Sequence, residues 1–163
     1  MLIFLPGGAF QTGGINSGYY SPTSWIERSQ SHIVITINYR VNIFGFPNAP
    51  GLAEQNLGIL DQRIALGWVR DNIAAFGGDP HAITQWGQSA GSMSSDIHAH
   101  AFPEDPIARA YFLSPVLCLV GARSPIRHFQ TLRSSRSILG ANLATQIAAW
   151  LYSIVCARSL SKT

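Results

Sequence analysis

The chain has 163 residues, 47% of them hydrophobic and 12% charged, with a formal net charge of +3. This excludes a disordered chain and allows one domain with a real core, while so little charge suggests a surface that further protein would cover. All eight acidic residues lie at or before Asp105 and seven of the eleven basic ones at or after Arg109. Such a tail can serve nucleic acid or an anionic membrane, but no nucleic-acid motif accompanies it. A divergent segment over 116–163 is the preferred reading, and no nucleic-acid partner is expected.

Alternation of strand-like and helix-like stretches predicts an α/β fold with a parallel central sheet and flanking helices. Leu2 to Leu5 is a continuous apolar run, the first strand; too short for a signal peptide, it runs directly into Pro6-Gly7-Gly8. Ser21 to Glu27 reads as a helix with Pro22 in its first position. Ile33 to Ile37 is β-branched, the second strand. Asn42 to Leu52 carries Gly45, Pro47, Pro50 and Gly51 and reads as a loop.

Asn56 to Phe76 gives the longest predicted helix, because Leu60, Ile64 and Trp68 recur every four residues, as do Ala65, Val69 and Ile73. Gly67 inside it costs about 1 kcal/mol relative to Ala, and Gly77-Gly78-Asp79-Pro80 ends it. Ala82 to Trp86 is a third strand, Ser92 to Ala101 a helix, and Arg109 to Leu113 a fourth strand. Right-handed crossovers limit the strand orders open to such a sheet. Two weaker helices are expected near 129–139 and 145–157. Cys118 and Cys156 show no metal spacing, and the apolar run Ile147 to Cys156 is too short to span a membrane.

The chemistry concentrates at Gly87-Gln88-Ser89-Ala90-Gly91. A Gly-x-Ser-x-Gly sequence between a strand and a helix is the nucleophile elbow of the α/β-hydrolase fold. Its glycines allow a turn sharp enough to strain the serine and project its hydroxyl, and the following helix N-terminus favours negative charge nearby. Ser89 is therefore the candidate nucleophile. An oxyanion needs backbone N–H donors from the residue after the nucleophile and from a Gly-rich loop after an early strand. Ala90 and the loop Gly7-Gly8-Ala9 match those places, although in isolation Gly7-Gly8 reads better as a simple tight turn.

A longer series of motifs occurs in order: Asn38-Tyr39-Arg40, Asn56-Leu57-Gly58-Ile59-Leu60-Asp61-Gln62-Arg63, Trp68-Val69-Arg70-Asp71-Asn72-Ile73, Phe76-Gly77-Gly78-Asp79-Pro80 and the elbow. Together they resemble the type-B carboxylesterase/lipase family, which includes the cholinesterases. The wording Gly45 to Leu52, and Gln88 before the serine, look most like its fungal esterases and lipases. The resemblance is dense from Leu2 to about Ser114. It implies an incomplete α/β-hydrolase fold, acyl transfer through Ser89, oxyanion donors at Gly8, Ala9 and Ala90, no metal or organic cofactor, and a small-molecule or lipid ester as substrate. It also implies a buried Arg40–Asp61 ion pair and, with right-handed crossovers, a sheet in which the first strand lies between the second and third and the fourth lies outside the third. Family members are often secreted, though no signal peptide is present here; compartment and oligomeric state stay open.

Departures from the family pattern carry expectations of their own. Pro6 stands where the oxyanion loop usually begins with His. Pro115 replaces a family glycine, and Ala141 replaces the first cysteine of a family disulfide, leaving Cys156 unpaired. The family's acid and histidine lie further downstream than Thr163, so the 163 residues read as a fragment, inactive by themselves. None of the five histidines substitutes: His98 and His100 lie on the helix after Ser89, on the order of 13–16 Å along its axis, His32 and His81 precede strands, and His128 lies in the divergent segment. Each reads as a surface or structural histidine. Phe10, Phe44 and Phe46 suit an acyl pocket or the core equally. The alternatives are an inactive truncated product and a cholinesterase-like binding module; Ser89 within an intact elbow argues against the latter.

Overall fold

The computed structural model describes residues 1–114. The helices expected near 129–139 and 145–157, like Cys118, His128, Ala141 and Cys156, lie outside the described residues. Four parallel strands, β1 (Leu2–Leu5), β2 (Val34–Thr36), β3 (Thr84–Gln88) and β4 (Ala110–Ser114), form one sheet in the order β2-β1-β3-β4. This is the order expected from right-handed crossovers and the family resemblance together. Register sets the ends of the central strands level: Leu5 pairs with Gly87, so the chain leaves β1 beside the point where β3 turns.

Side chains alternate across β1. Ile3 and Leu5 join Ile35, Ile37, Ala65, Leu66, Val69, Ile73 and Ile83 in a core that includes helix α3 (Leu57–Asn72). Phe4 points the other way, against Tyr20 and its register partner Trp86, with ring centroids 5.1 and 4.9 Å away. Trp25 of helix α1 (Thr23–Ser29) meets Trp86 edge-on. Covered on both faces, β1 reads as an unbroken apolar run, as a central parallel strand does.

Several boundaries differ from the sequence reading. Pro22 caps α1 instead of opening it, with its carbonyl accepting from the Ile26 N–H at 2.9 Å. Its ring-fixed φ and missing N–H suit either place. Within the expected loop 42–52 lies one helical turn, α2 (Asn42–Gly45), too short to show a period. The long helix is α3 as far as Asn72 and then a 3₁₀ turn, Ile73–Phe76, closed by Gly77 at φ 77°. The buried face of α3 runs through Ile59, Gln62, Ala65, Leu66 and Val69, while Leu60, Ile64 and Trp68 flank it half-buried. The helix after the elbow, α4 (Ala90–Ala101), begins two residues earlier than Ser92.

Candidate active site

Ser89 joins β3 to α4 with φ 54° and ψ −118°, a conformation closed to most side chains and the strained backbone expected of the elbow. Its flanking glycines make the turn possible by their bareness. A Cβ on Gly87 would overlap the Gly91 carbonyl, and one on Gly91 would overlap the Leu5 carbonyl oxygen of β1. The elbow is thus pressed against the end of the neighbouring strand.

From that strand the loop Pro6–Ile15 folds directly over the elbow. A Cβ on Gly7 would stand 2.6 Å from the Gln88 carbonyl oxygen and 3.0 Å from Ser89 Cβ. Gly8, Ala9 and Phe10 follow with φ of 127°, 54° and 61°, three consecutive residues in the left-handed half of the map. The Gly8 carbonyl accepts from the N–H groups of Gln11 and Thr12, at 2.9 and 3.0 Å. Ala9 is exposed, and among the described residues nothing accepts its N–H. Ser89 and Gly7 therefore lie together at the C-terminal ends of β1 and β3, where open α/β sheets carry their sites, with Gly8 and Ala9 following Gly7 in the chain and Ala90 following Ser89.

The segment after β2 holds this loop. The buried Tyr39 hydroxyl donates to the Pro6 carbonyl at 2.7 Å. Asn38 Oδ1 accepts from the Ile15 N–H at 3.0 Å, and the Asn42 N–H donates to the Phe10 carbonyl at 2.7 Å. Burial, with the Tyr20 phenol nearby, pushes the Tyr39 phenol well above its usual range, so it remains a donor at any ordinary pH. Next to it, Arg40 forks onto Asp61 of α3 at 2.7 and 2.6 Å. The pair is not buried as expected: the Arg40 side chain is 42% exposed and that of Asp61 16%. The guanidinium reaches Asp61 from the rim of α3, leaving its outer edge in water. Phe10 and Phe46 meet edge-on at 5.0 Å inside a second core cluster with Tyr39, Ile59, Ala90 and Ile97, so both are packing residues, whereas Phe44 is exposed.

Beneath the elbow lies a polar network that sequence reasoning missed. Gln62 Nε2 donates to Ser94 Oγ at 3.1 Å, and Ser94 Oγ donates to the Ala90 carbonyl at 3.0 Å. Gln85 Nε2 donates to Ser95 Oγ, which donates to the Gly91 carbonyl. His98 Nε2 lies 3.1 Å from Gln62 Oε1. With the Gln62 amide nitrogen turned to Ser94, that imidazole nitrogen must be the donor. Burial, and secondarily the Arg63 charge, lower the His98 imidazole from 6.5 to about 3, so it stays neutral. The only sequence signal for this network was a glutamine, Gln62, on the apolar stripe of α3.

Four of the five histidines lie among the described residues. His98 is structural, His32 is half-buried beside Trp25, His81 is exposed before β3, and His100 is exposed beside Asp96. Among the described residues no group of three or more His, Cys, Asp or Glu could hold a metal ion, and no helix is long and apolar enough to cross a membrane.

A parallel α/β sheet with a strained serine at a strand-to-helix turn, under a glycine loop from the adjacent strand, defines the nucleophile-elbow class of α/β proteins. The chain belongs to the carboxylesterase family, whose model matches residues 1–118. It is 56% identical over 110 residues to a chlorogenic acid esterase of Aspergillus niger, covering 68% of this chain and 22% of that protein. It is 47% identical over 113 residues to secreted lipase 5 of Gibberella zeae, covering 67% and 21% respectively. With secreted lipase 1 of Botryotinia fuckeliana it shares 48% identity over 101 residues, 58% of this chain and 17% of that one. The chain thus spans about a fifth of the length of the curated relatives it matches.

Proposed function

We propose that the protein is a carboxylic-ester hydrolase in which Ser89 is the nucleophile. The observation that carries this reading is the conformation of Ser89, φ 54° and ψ −118° between two glycines that admit no side chain, directly under the Gly7 loop. Strain of that kind, of order 1–3 kcal/mol, persists where the surroundings over-determine it and clusters at active sites.

In this mechanism Ser89 Oγ attacks the carbonyl carbon of the ester. The carbonyl oxygen takes up the negative charge and is held by the N–H groups of Gly8, Ala9 and Ala90, each such donor contributing about 3–4 kcal/mol to the transition state. Collapse expels the alcohol and leaves an acyl-serine, which water then hydrolyses. A histidine must take the Ser89 proton and pass it to the leaving alkoxide, with an acid to orient it. His98 does not fill that role, because its Nε2 is bound to Gln62 and its ring is buried. The substrate class is a small-molecule or lipid ester; one relative is named a chlorogenic acid esterase and two are named secreted lipases.

Turnover of a p-nitrophenyl acyl ester by the full-length gene product, compared with its Ser89→Ala variant, tests the reading. We expect turnover to be lost in the variant. Equal turnover would remove Ser89 from the mechanism. The 163 residues alone should hydrolyse that ester hardly faster than their own Ser89→Ala control, since the four histidines among the described residues read as surface or structural groups. Robust Ser89-dependent turnover would require a base among the five histidines.

A further inference from the structure

Resting on the reading of Ser89 as nucleophile and of Gly8 and Ala9 as oxyanion donors, we infer that Tyr39 is a positioning residue, whose hydroxyl fixes the oxyanion loop through the Pro6 carbonyl. The loop has to be held, because Ala9 and Phe10 stand at φ 54° and 61°, each unfavourable for a residue with a Cβ. Its restraint comes from one segment. Residues 38–42 bind the loop at its start, middle and end: Tyr39 to Pro6, Asn42 to Phe10, Asn38 to Ile15. That segment is itself tied to α3, since the Asp61 carboxylate accepts from the Arg40 backbone N–H and guanidinium. The Arg40 carbonyl, in turn, packs so closely on Gly45 and Gly58 that neither could carry a Cβ.

Of the three bonds, that of Tyr39 lies nearest the chemistry. The Pro6 carbonyl sits between the Tyr39 hydroxyl and Gly91, where an added Cβ would come within 3.1 Å of it. A peptide unit is planar, so fixing that carbonyl also fixes the Gly7 N–H and the plane from which Gly8 and Ala9 depart. Tyr39 is buried, in one core cluster with Phe10, Phe46, Ile59 and Ala90, so its ring is held by packing. At the position where the family's oxyanion loop usually begins with His, this chain has Pro6, whose ring restricts φ but leaves the carbonyl to be oriented from outside. Tyr39 supplies that orientation.

The test uses Tyr39→Phe in the full-length gene product, with hydrolysis of a p-nitrophenyl ester and inhibition by an alkylboronic acid, which forms a tetrahedral adduct with the serine. Misplaced donors should lower kcat and weaken boronic-acid inhibition by about tenfold each, with KM changed less than twofold. A purely structural role would reduce the fraction of active protein and leave the inhibition constant unchanged, which would overturn the inference. If Tyr39→Phe does not fold, Asn38→Ala at the half-buried end of the loop carries the same comparison. A selective loss of boronic-acid affinity supports the clamp, and an unchanged constant refutes it. Ser89→Ala run in parallel separates the two readings: turnover surviving there sinks the nucleophile assignment, whereas a dead Ser89→Ala with an unaffected Tyr39→Phe sinks the clamp alone.

Discussion

Gly91→Ala and Gly67→Ala make the same chemical change in two helices and should shift stability in opposite directions. Intrinsic helix propensity favours alanine at both by about 1 kcal/mol. At Gly67, in the middle of α3, an added Cβ meets no atom within 4 Å, so the propensity gain stands and stability should rise by about 0.4–1 kcal/mol. At Gly91, in the first turn of α4, the Cβ would overlap the Leu5 carbonyl and approach that of Pro6. Both obstacles are backbone, one in the central strand β1 and one in the clamped loop, so neither can turn aside as a side chain would. Overpacking of this kind costs about 1–3 kcal/mol or more, exceeding the propensity gain and pushing Ser89 away from the Gly7 loop. Urea midpoints followed by far-UV circular dichroism, read at constant m, measure both effects. A Gly91→Ala protein as stable as the parent, or a destabilised Gly67→Ala protein, would refute the packing of α4 on β1 or the open surface of α3.

Two further predictions concern charge. His98 has its folded-state pKa lowered from 6.5 to about 3, so the unfolded chain binds a proton over that window and the folded one does not. Its contribution is complete above about pH 6.5 and is lost as pH falls, by about 2 kcal/mol at pH 5; urea midpoints at pH 7.5 and pH 5 should show that slope in the parent and a shallower one in His98→Gln. Asp61→Asn should cost only about 1 kcal/mol, with the difference shrinking in high salt, because the Arg40 side chain is 42% exposed. A loss of about 3–5 kcal/mol at any salt concentration would mean that the pair is buried after all.

The fold was legible wherever one local signal determined the answer. The apolar runs at Leu2–Leu5 and around Ile35 and the glycines on either side of Ser89 each demand one backbone outcome, and the sheet order followed from handedness together with the family resemblance. What escaped depends on contacts between segments far apart in sequence. Gln62 breaks the apolar stripe of α3, and its partners Ser94 and His98 lie more than 30 residues away. Tyr39 reads as one more aromatic residue after a strand until Pro6 is seen above its hydroxyl. The degree of exposure of Arg40 and Asp61 was likewise invisible, since a motif pairs residues without saying how much water reaches them. The turn at Asn42–Gly45 was hidden by its brevity and its prolines nearby.

A crystal structure of the full-length gene product after reaction with an alkylphosphonate ester tests the central claim most directly. Phosphorus should be bonded to Ser89 Oγ, with its non-bridging oxygen about 2.7–3.1 Å from the backbone nitrogen of Ala90 and from that of Gly8, Ala9 or both. Phosphorus on another residue, or an oxygen turned away from the Gly7–Ala9 loop toward solvent, would contradict the account.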